Sequence, residues 1–198
     1  MDRRLLMLLI AGAVIASLTL WRVTRPPRPA PQMGEAPTVQ SGEIAIPPSF
    51  ELPDQQGNLV KFERYRSRQG VVVVFFRADL PASADPSLDW LRKHYDSVKK
   101  AGYEVIGIST QTGATIRNSA DKEGQDWPFP MLNDIHLRSP EPAPVHHLWQ
   151  MIDATTGELK QGTILVDQSG HTSYLNGSPR PLDQPLVELK QLFASDEP

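Results

Sequence analysis

Val71-Val72-Val73-Val74-Phe75-Phe76-Arg77-Ala78-Asp79-Leu80-Pro81-Ala82-Ser83-Ala84 is the stretch on which the fold reading turns. Its first half is an unbroken run of β-branched and aromatic residues, which predicts a strand buried on both faces. Its second half is a polar turn containing proline, and helical spacing follows from about Pro86. In an α/β domain the turn at the carboxyl end of a central strand is where a site is usually built. This turn offers a base, an acid, a proline and small residues, but no thiol.

Outward from that strand, the chain alternates. Ser49 to Pro53 and Leu59 to Phe62 read as two short strands around the turn Asp54-Gln55-Gln56-Gly57-Asn58. Downstream, Leu88, Leu91, Tyr95 and Val98 mark one face of a helix over Ser87–Lys100. Asp85 or Ser87 would cap it, Pro86 would lie in its first turn and Gly102 would end it. Tyr103–Ser109 reads as a second core strand, Ala114–Glu123 as a more polar helix and Phe129–Leu132 as a short strand. A Pro-rich loop over Asp134–Pro144 leads to a short helix over Val145–Ile152. Thr163–Asp167 is a third core strand, turning at Gln168–His171 into Thr172–Leu175 as a hairpin partner. Leu182–Phe193 closes the chain as an amphipathic helix. This order predicts a mixed central sheet with helices on both faces, a thioredoxin-like arrangement.

Before the domain, Leu5 to Trp21 carries no charge. At ~1.5 Å per residue it spans roughly 25 Å, against a hydrocarbon core of ~30 Å. Three readings stand: an uncleaved membrane anchor, a cleaved signal or a buried helix. The anchor reading is favoured by Trp21 at the interface and by the arginines at 22, 25 and 28 beyond it. Arginines flank both ends and leave the orientation open; with the N-terminus taken as inside, the domain is expected on the periplasmic, extracytoplasmic side of a membrane. Residues 22–45, rich in proline, read as a semi-rigid linker, and residues 46–198 as the folded domain.

The 198 residues carry a net charge of −3, with basic residues scattered, so nucleic acid is not an expected partner. They contain no cysteine, which excludes disulfides, thiolate catalysis and Cys-ligated zinc within this sequence.

The opening Pro48–Gly57 resembles that of the redoxin superfamily, which includes the peroxiredoxins of the AhpC/TSA family and membrane-tethered thioredoxin-like proteins. Val72 to Leu88 is similar, without gaps, to the peroxiredoxin active-site segment: Phe-Tyr-Pro-Ala-Asp-Phe-Thr, two residues, then the peroxidatic cysteine. Gly162 to Asp167, followed by Gly170, is similar to that family's second signature. The resemblance implies a thioredoxin-like fold of the peroxiredoxin branch over Ile46 to Phe193. It does not carry the chemistry across. The family's motif proline falls on Arg77, its threonine on Pro81, its cysteine on Ala84 and its arginine on Gln161. Ala78 and Asp79 of the motif hold, and they are not its reactive groups. A Cys-x-x-Cys pair of the thioredoxin branch would fall on Pro81–Ala84, and its facing cis-proline on Gly162.

The resemblance therefore implies a degenerate site without catalytic residues, cofactor or thiol peroxidase activity, acting by binding a protein or a second copy of itself. Arg77, Asp79 and Ser83 are the cleft candidates, with Arg77 and Asp79 expected to pair and plug the former pocket. The alternative is non-thiol, metal-assisted chemistry in the same cleft. The weak metal candidates are the neighbours His146 and His147, which a helix would point apart, with His136 and Glu141 in the same region. These histidines, with His94 and His171, are otherwise expected to face water. Trp127, Phe129 and Trp149 are expected in the core or at a pocket rim.

Overall fold

A computed structural model describes residues 43–194 apart from 67, 125, 136–142 and 176. The chain divides into two units, Met1–Thr38 and Val39–Pro198, and every described residue belongs to the second. The anchor and most of the linker expected from the sequence lie outside the described residues. Among those described, no helix is long and apolar enough to cross a membrane.

The valine run forms β4, Gly70–Phe75, with every residue buried. It pairs in parallel with β5, Tyr103–Ser109, and antiparallel with β7, Gly162–Val166. β6, Met131–Asn133, adds in parallel to β5, giving the order β6-β5-β4-β7. Both faces are covered, so alternation in β4 separates two cores rather than core from water. Val71, Val73 and Phe75 pack with Ile106, Ile108 and Trp149, whereas Val72, Val74 and Phe76 pack with Leu88, Leu91 and Phe193. Each such side chain removed from water contributes roughly 1.5–3 kcal/mol.

The covers of the two faces differ. Helices α1, Pro86–Lys93, α2, Tyr95–Lys100, α3, Gly113–Glu123, and α5, Pro185–Phe193, all supply residues to the second core. The first core is closed by a hairpin of β2, Glu51–Pro53, and β3, Leu59–Lys61, with a 3-10 turn at Phe62–Arg64 and the short α4, Pro144–Leu148. The expected helices on both faces thus reduce to one short helix on the hairpin side. Aromatic rings replace helical cover there: Phe62 meets Phe50 at 5.0 Å and Trp149 at 5.5 Å between centroids. Trp127, Phe129 and Trp149 are all buried, as the core reading expects.

Two further expectations are corrected. The helix over Ser87–Lys100 breaks at His94, whose backbone leaves helical geometry at φ −114°, ψ 19°. The His94 ring stacks on Trp90 at 4.4 Å, and its Nδ1 lies 2.8 Å from the Trp90 carbonyl, a local side-chain bond that competes with helix continuation. Thr172–Leu175, β8, is not the ladder partner of β7. It lies between β1, Glu43–Ala45, and β9, Ser178–Pro179, in a separate three-stranded sheet. Along the outer margin of β7, a bond from the segment after β9 and one from a β8 side chain stand where hairpin ladder bonds would. Thr163 O accepts from Leu182 N at 2.7 Å, and Leu165 O accepts from the Thr172 hydroxyl at 2.6 Å.

At the opposite margin, the Gln55 side-chain amide completes the outer edge of β6. Its Oε1 accepts from Met131 N at 2.8 Å, and its Nε2 donates to Phe129 O at 3.4 Å. Between α2 and β5, buried Glu104 accepts from the Tyr95 hydroxyl at 2.6 Å and from Lys99 Nζ at 2.9 Å. Burial, and then that bond to Glu104, push the Tyr95 phenol far above its ordinary value.

Candidate functional site

β4 delivers Phe76 inward and then releases the chain, leaving Arg77 to Pro81 exposed. The turn is held from behind by Gln111, a buried residue just past β5. Its Nε2 lies 3.3, 3.1 and 2.6 Å from the carbonyl oxygens of Arg77, Ala78 and Leu80. Among the described residues its Oε1 is buried without a partner. A 3-10 turn at Ala82–Ala84 follows, and Asp85 caps α1 through Oδ1, accepting from Ser87 N at 2.9 Å and Leu88 N at 3.1 Å. With Pro86 in the first turn, this is the capping arrangement that the sequence predicts.

The turn forms one wall of an open cleft of about 560 Å³. Phe76, Arg77, Leu80, Pro81, Ala84 and Asp85 line one side, and Gln161, Gly162, Pro181, Leu182, Pro185 and Leu186 the other. All four positions assigned to the reactive groups by resemblance, Arg77, Pro81, Ala84 and Gln161, therefore meet in one cavity. Pro81 and Ala84 are three apart along a tight turn, which puts them on the same side. Ser83, in the same turn, is half-buried and does not line the cleft.

Arg77 and Asp79 do pair: Arg77 Nε donates to Asp79 Oδ1 at 2.8 Å, with a second contact from the guanidinium to Oδ2. The side chains are 53% and 62% exposed, however, so the pair does not plug the pocket. Two residues apart on an outward loop, they close on each other in solvent at the rim. The hydrogen bond from Arg77 holds the Asp79 carboxyl below its ordinary range.

The histidines separate by environment. His146 is not water-facing, which corrects the expectation. It is 1% exposed, and its Nδ1 lies 2.5 Å from Oδ2 of fully buried Asp134. The same carboxylate accepts from Val145 N at 3.0 Å and His146 N at 2.8 Å, fastening the start of α4 to the end of β6. The ring also meets Phe75 edge-on at 5.0 Å. His147, next in the helix, is exposed. His136 and Glu141 lie outside the described residues. Among the described residues, no group of three His, Asp or Glu is placed to hold a metal.

Sequence reading missed Gln111 and Asp134. Both act across 11 or more residues on partners that carry no local pattern. The only signal was that each lies within two residues of a strand end, where side chains can reach neighbouring loops.

Chemically, the cleft supplies no thiol; its hydroxyls, on Ser87 and Thr163, have no histidine beside them in the lining. Pro81, Pro86, Pro181 and Pro185 have no N–H, and the first free N–H groups of α1 already bond Asp85. Little is left with which to stabilise a developing oxyanion.

Residues 45–174 match the AhpC/TSA family. The chain is 31% identical over 152 residues to "Peroxiredoxin Q, chloroplastic" of Triticum aestivum, covering 74% of this chain and 66% of that protein, just under two thirds. It is 35% identical over 137 residues to "Peroxiredoxin Bcp" of Escherichia coli (strain K12), covering 69% of this chain and 85% of that one. Among solved structures, Peroxidoxin BcpB from Mycobacterium tuberculosis superposes with a TM-score of 0.54 at 18% identity, over 80% of this chain and 99% of that chain. The chain belongs to the AhpC/TSA family, on a thioredoxin-like fold of the peroxiredoxin type.

Proposed function

We propose that this AhpC/TSA-family chain works by binding rather than by thiol chemistry. In this reading the uncharged stretch 5–21 tethers it to a membrane, and the folded domain lies on the extracytoplasmic side. Its cleft engages a protein partner, or a second copy of the chain. The observation that carries the reading is the cleft itself. It remains open and about 560 Å³ in volume, yet Arg77, Pro81, Ala84 and Gln161 replace the groups that would polarise and attack a peroxide. A thiolate nucleophile and its supporting donors are what the family's reaction requires, and a chain without cysteine supplies none.

Two measurements test this. The full chain, given hydrogen peroxide or an alkyl hydroperoxide with a thiol reductant, is expected to show no turnover above buffer, and turnover would end the reading. Proteins co-purifying from membranes through a C-terminal tag are then compared between the native chain and the triple variant Arg77→Ala, Leu80→Ala, Gln161→Ala, each an exposed residue of the cleft lining. A partner bound at the cleft is depleted in the variant. An unchanged set would move binding away from this cleft.

A further inference from the structure

We propose that the cleft takes a peptide segment in which apolar side chains lie next to lysine or arginine. This rests on the binding reading above and names its ligand class. The walls are apolar: Phe76, Leu80, Pro81, Pro181, Leu182 and Leu186 face the cavity. An apolar pocket with a few placed polar groups is the ordinary form of a ligand site.

The polar groups set the sign of the ligand. Two carboxylates, Asp85 and Asp183, and one guanidinium, Arg77, line the cavity. Arg77 is engaged by Asp79, and Asp183 by Arg180. Asp85 has no cationic partner among the described residues. Both its bonds to α1 use Oδ1, which leaves Oδ2 for a ligand. Backbone donors for an anion are scarce, and the remaining polar lining, Ser87, Gln161 and Thr163, is neutral. Four of the lining residues are prolines, and Leu182 N is given to Thr163 O. A carboxylate ligand would meet Asp85 and few N–H groups, whereas an ammonium or guanidinium meets an unshared oxygen. Its aliphatic stem would lie along Pro81 and Pro86, as long basic side chains do on apolar surface.

The test uses the full chain, isotope-labelled, in a neutral detergent. Three peptide probes are titrated: acetyl-Leu-Leu-Lys-amide, acetyl-Leu-Leu-Glu-amide and acetyl-Ser-Ser-Lys-amide. The first is expected to shift amide resonances within 76–88 and 161–163 with a Kd of about 1 mM, and the other two are not. Asp85→Asn, which retains a capping side chain, is expected to weaken the first peptide about three- to tenfold. The proposal is overturned if the Glu peptide binds as well, if the Ser-Ser peptide matches the Leu-Leu peptide, or if Asp85→Asn changes nothing. It is equally overturned if no peptide moves these resonances at about 10 mM. Any of these outcomes removes the ligand class alone, because the peroxide assay decides the binding reading separately.

Discussion

Two acidic residues lie just beyond parallel strands at the same end of the sheet, Asp79 four residues past β4 and Asp134 one residue past β6, and their surroundings are opposite. Asp79, beyond β4, meets Arg77 in open solvent. Asp134, beyond β6, meets His146 where neither touches water. Among the described residues, the side chains of the exposed pair bond only each other. The buried carboxylate gathers two backbone N–H groups and a ring nitrogen from a helix 11 and 12 residues away. Solvent screens the first pair, so its geometry is worth little to stability. Desolvation makes the second a group that must keep every partner. The difference separates what shapes the rim of the cleft from what holds the scaffold behind it.

The sharpest way to break this contrast is Asp134→Ala. It strands three buried donors and is expected to lower unfolding free energy by about 3–5 kcal/mol. Urea denaturation showing a loss below about 1 kcal/mol would mean the buried pair is not part of the scaffold. Next is Gln111→Ala, which frees three carbonyls of the cleft turn. A loss of about 1–3 kcal/mol is expected, together with faster amide exchange around residues 78–82. Unchanged exchange would show that the turn holds itself.

Asp85→Ala should cost about 0.5–2 kcal/mol through the lost cap, while Asp85→Asn stays near neutral. Equal losses in the two variants would assign the effect to charge rather than capping. The smallest effect belongs to Arg77→Ala, which should leave the melting temperature unchanged. It should, however, move the Asp79 carboxyl titration, followed by NMR, upward to its ordinary range. Because the folded pKa is the lowered one, any contribution from the pair is present above the unfolded carboxyl pKa and fades as pH falls through the folded value. A melting temperature that drops in Arg77→Ala at neutral pH would erase the distinction between the two pairs.

Much of the fold could be read from local patterns. The valine run, the Asp85–Pro86 cap and the spacing of Leu88, Leu91 and Val98 each specify their element within a few residues. The placement of Pro81, Ala84 and Gln161 in one cavity also followed from motif alignment, because the scaffold preserves their spacing. What stayed hidden depended on distant partners. The break at His94 needs a ring folding back onto Trp90. The pairing of β8 with β1 joins residues more than a hundred positions apart. His146 carries no local sign of burial, since the carboxylate that satisfies it lies 12 residues upstream across a Pro-rich loop. The Arg77–Asp79 pair was legible as a pair but not as an exposed one, because exposure depends on where the turn points.

Gln55 mimics the peptide group of a missing fifth strand beside β6, and Leu182 with Thr172 does the same service beside β7. At these positions the central sheet gives an identical molecule no bare ladder to copy. Strand-by-strand growth into fibrils starts from such bare margins. A chain built this way can be held at high concentration without the margins of its central sheet becoming seeds for polymerisation.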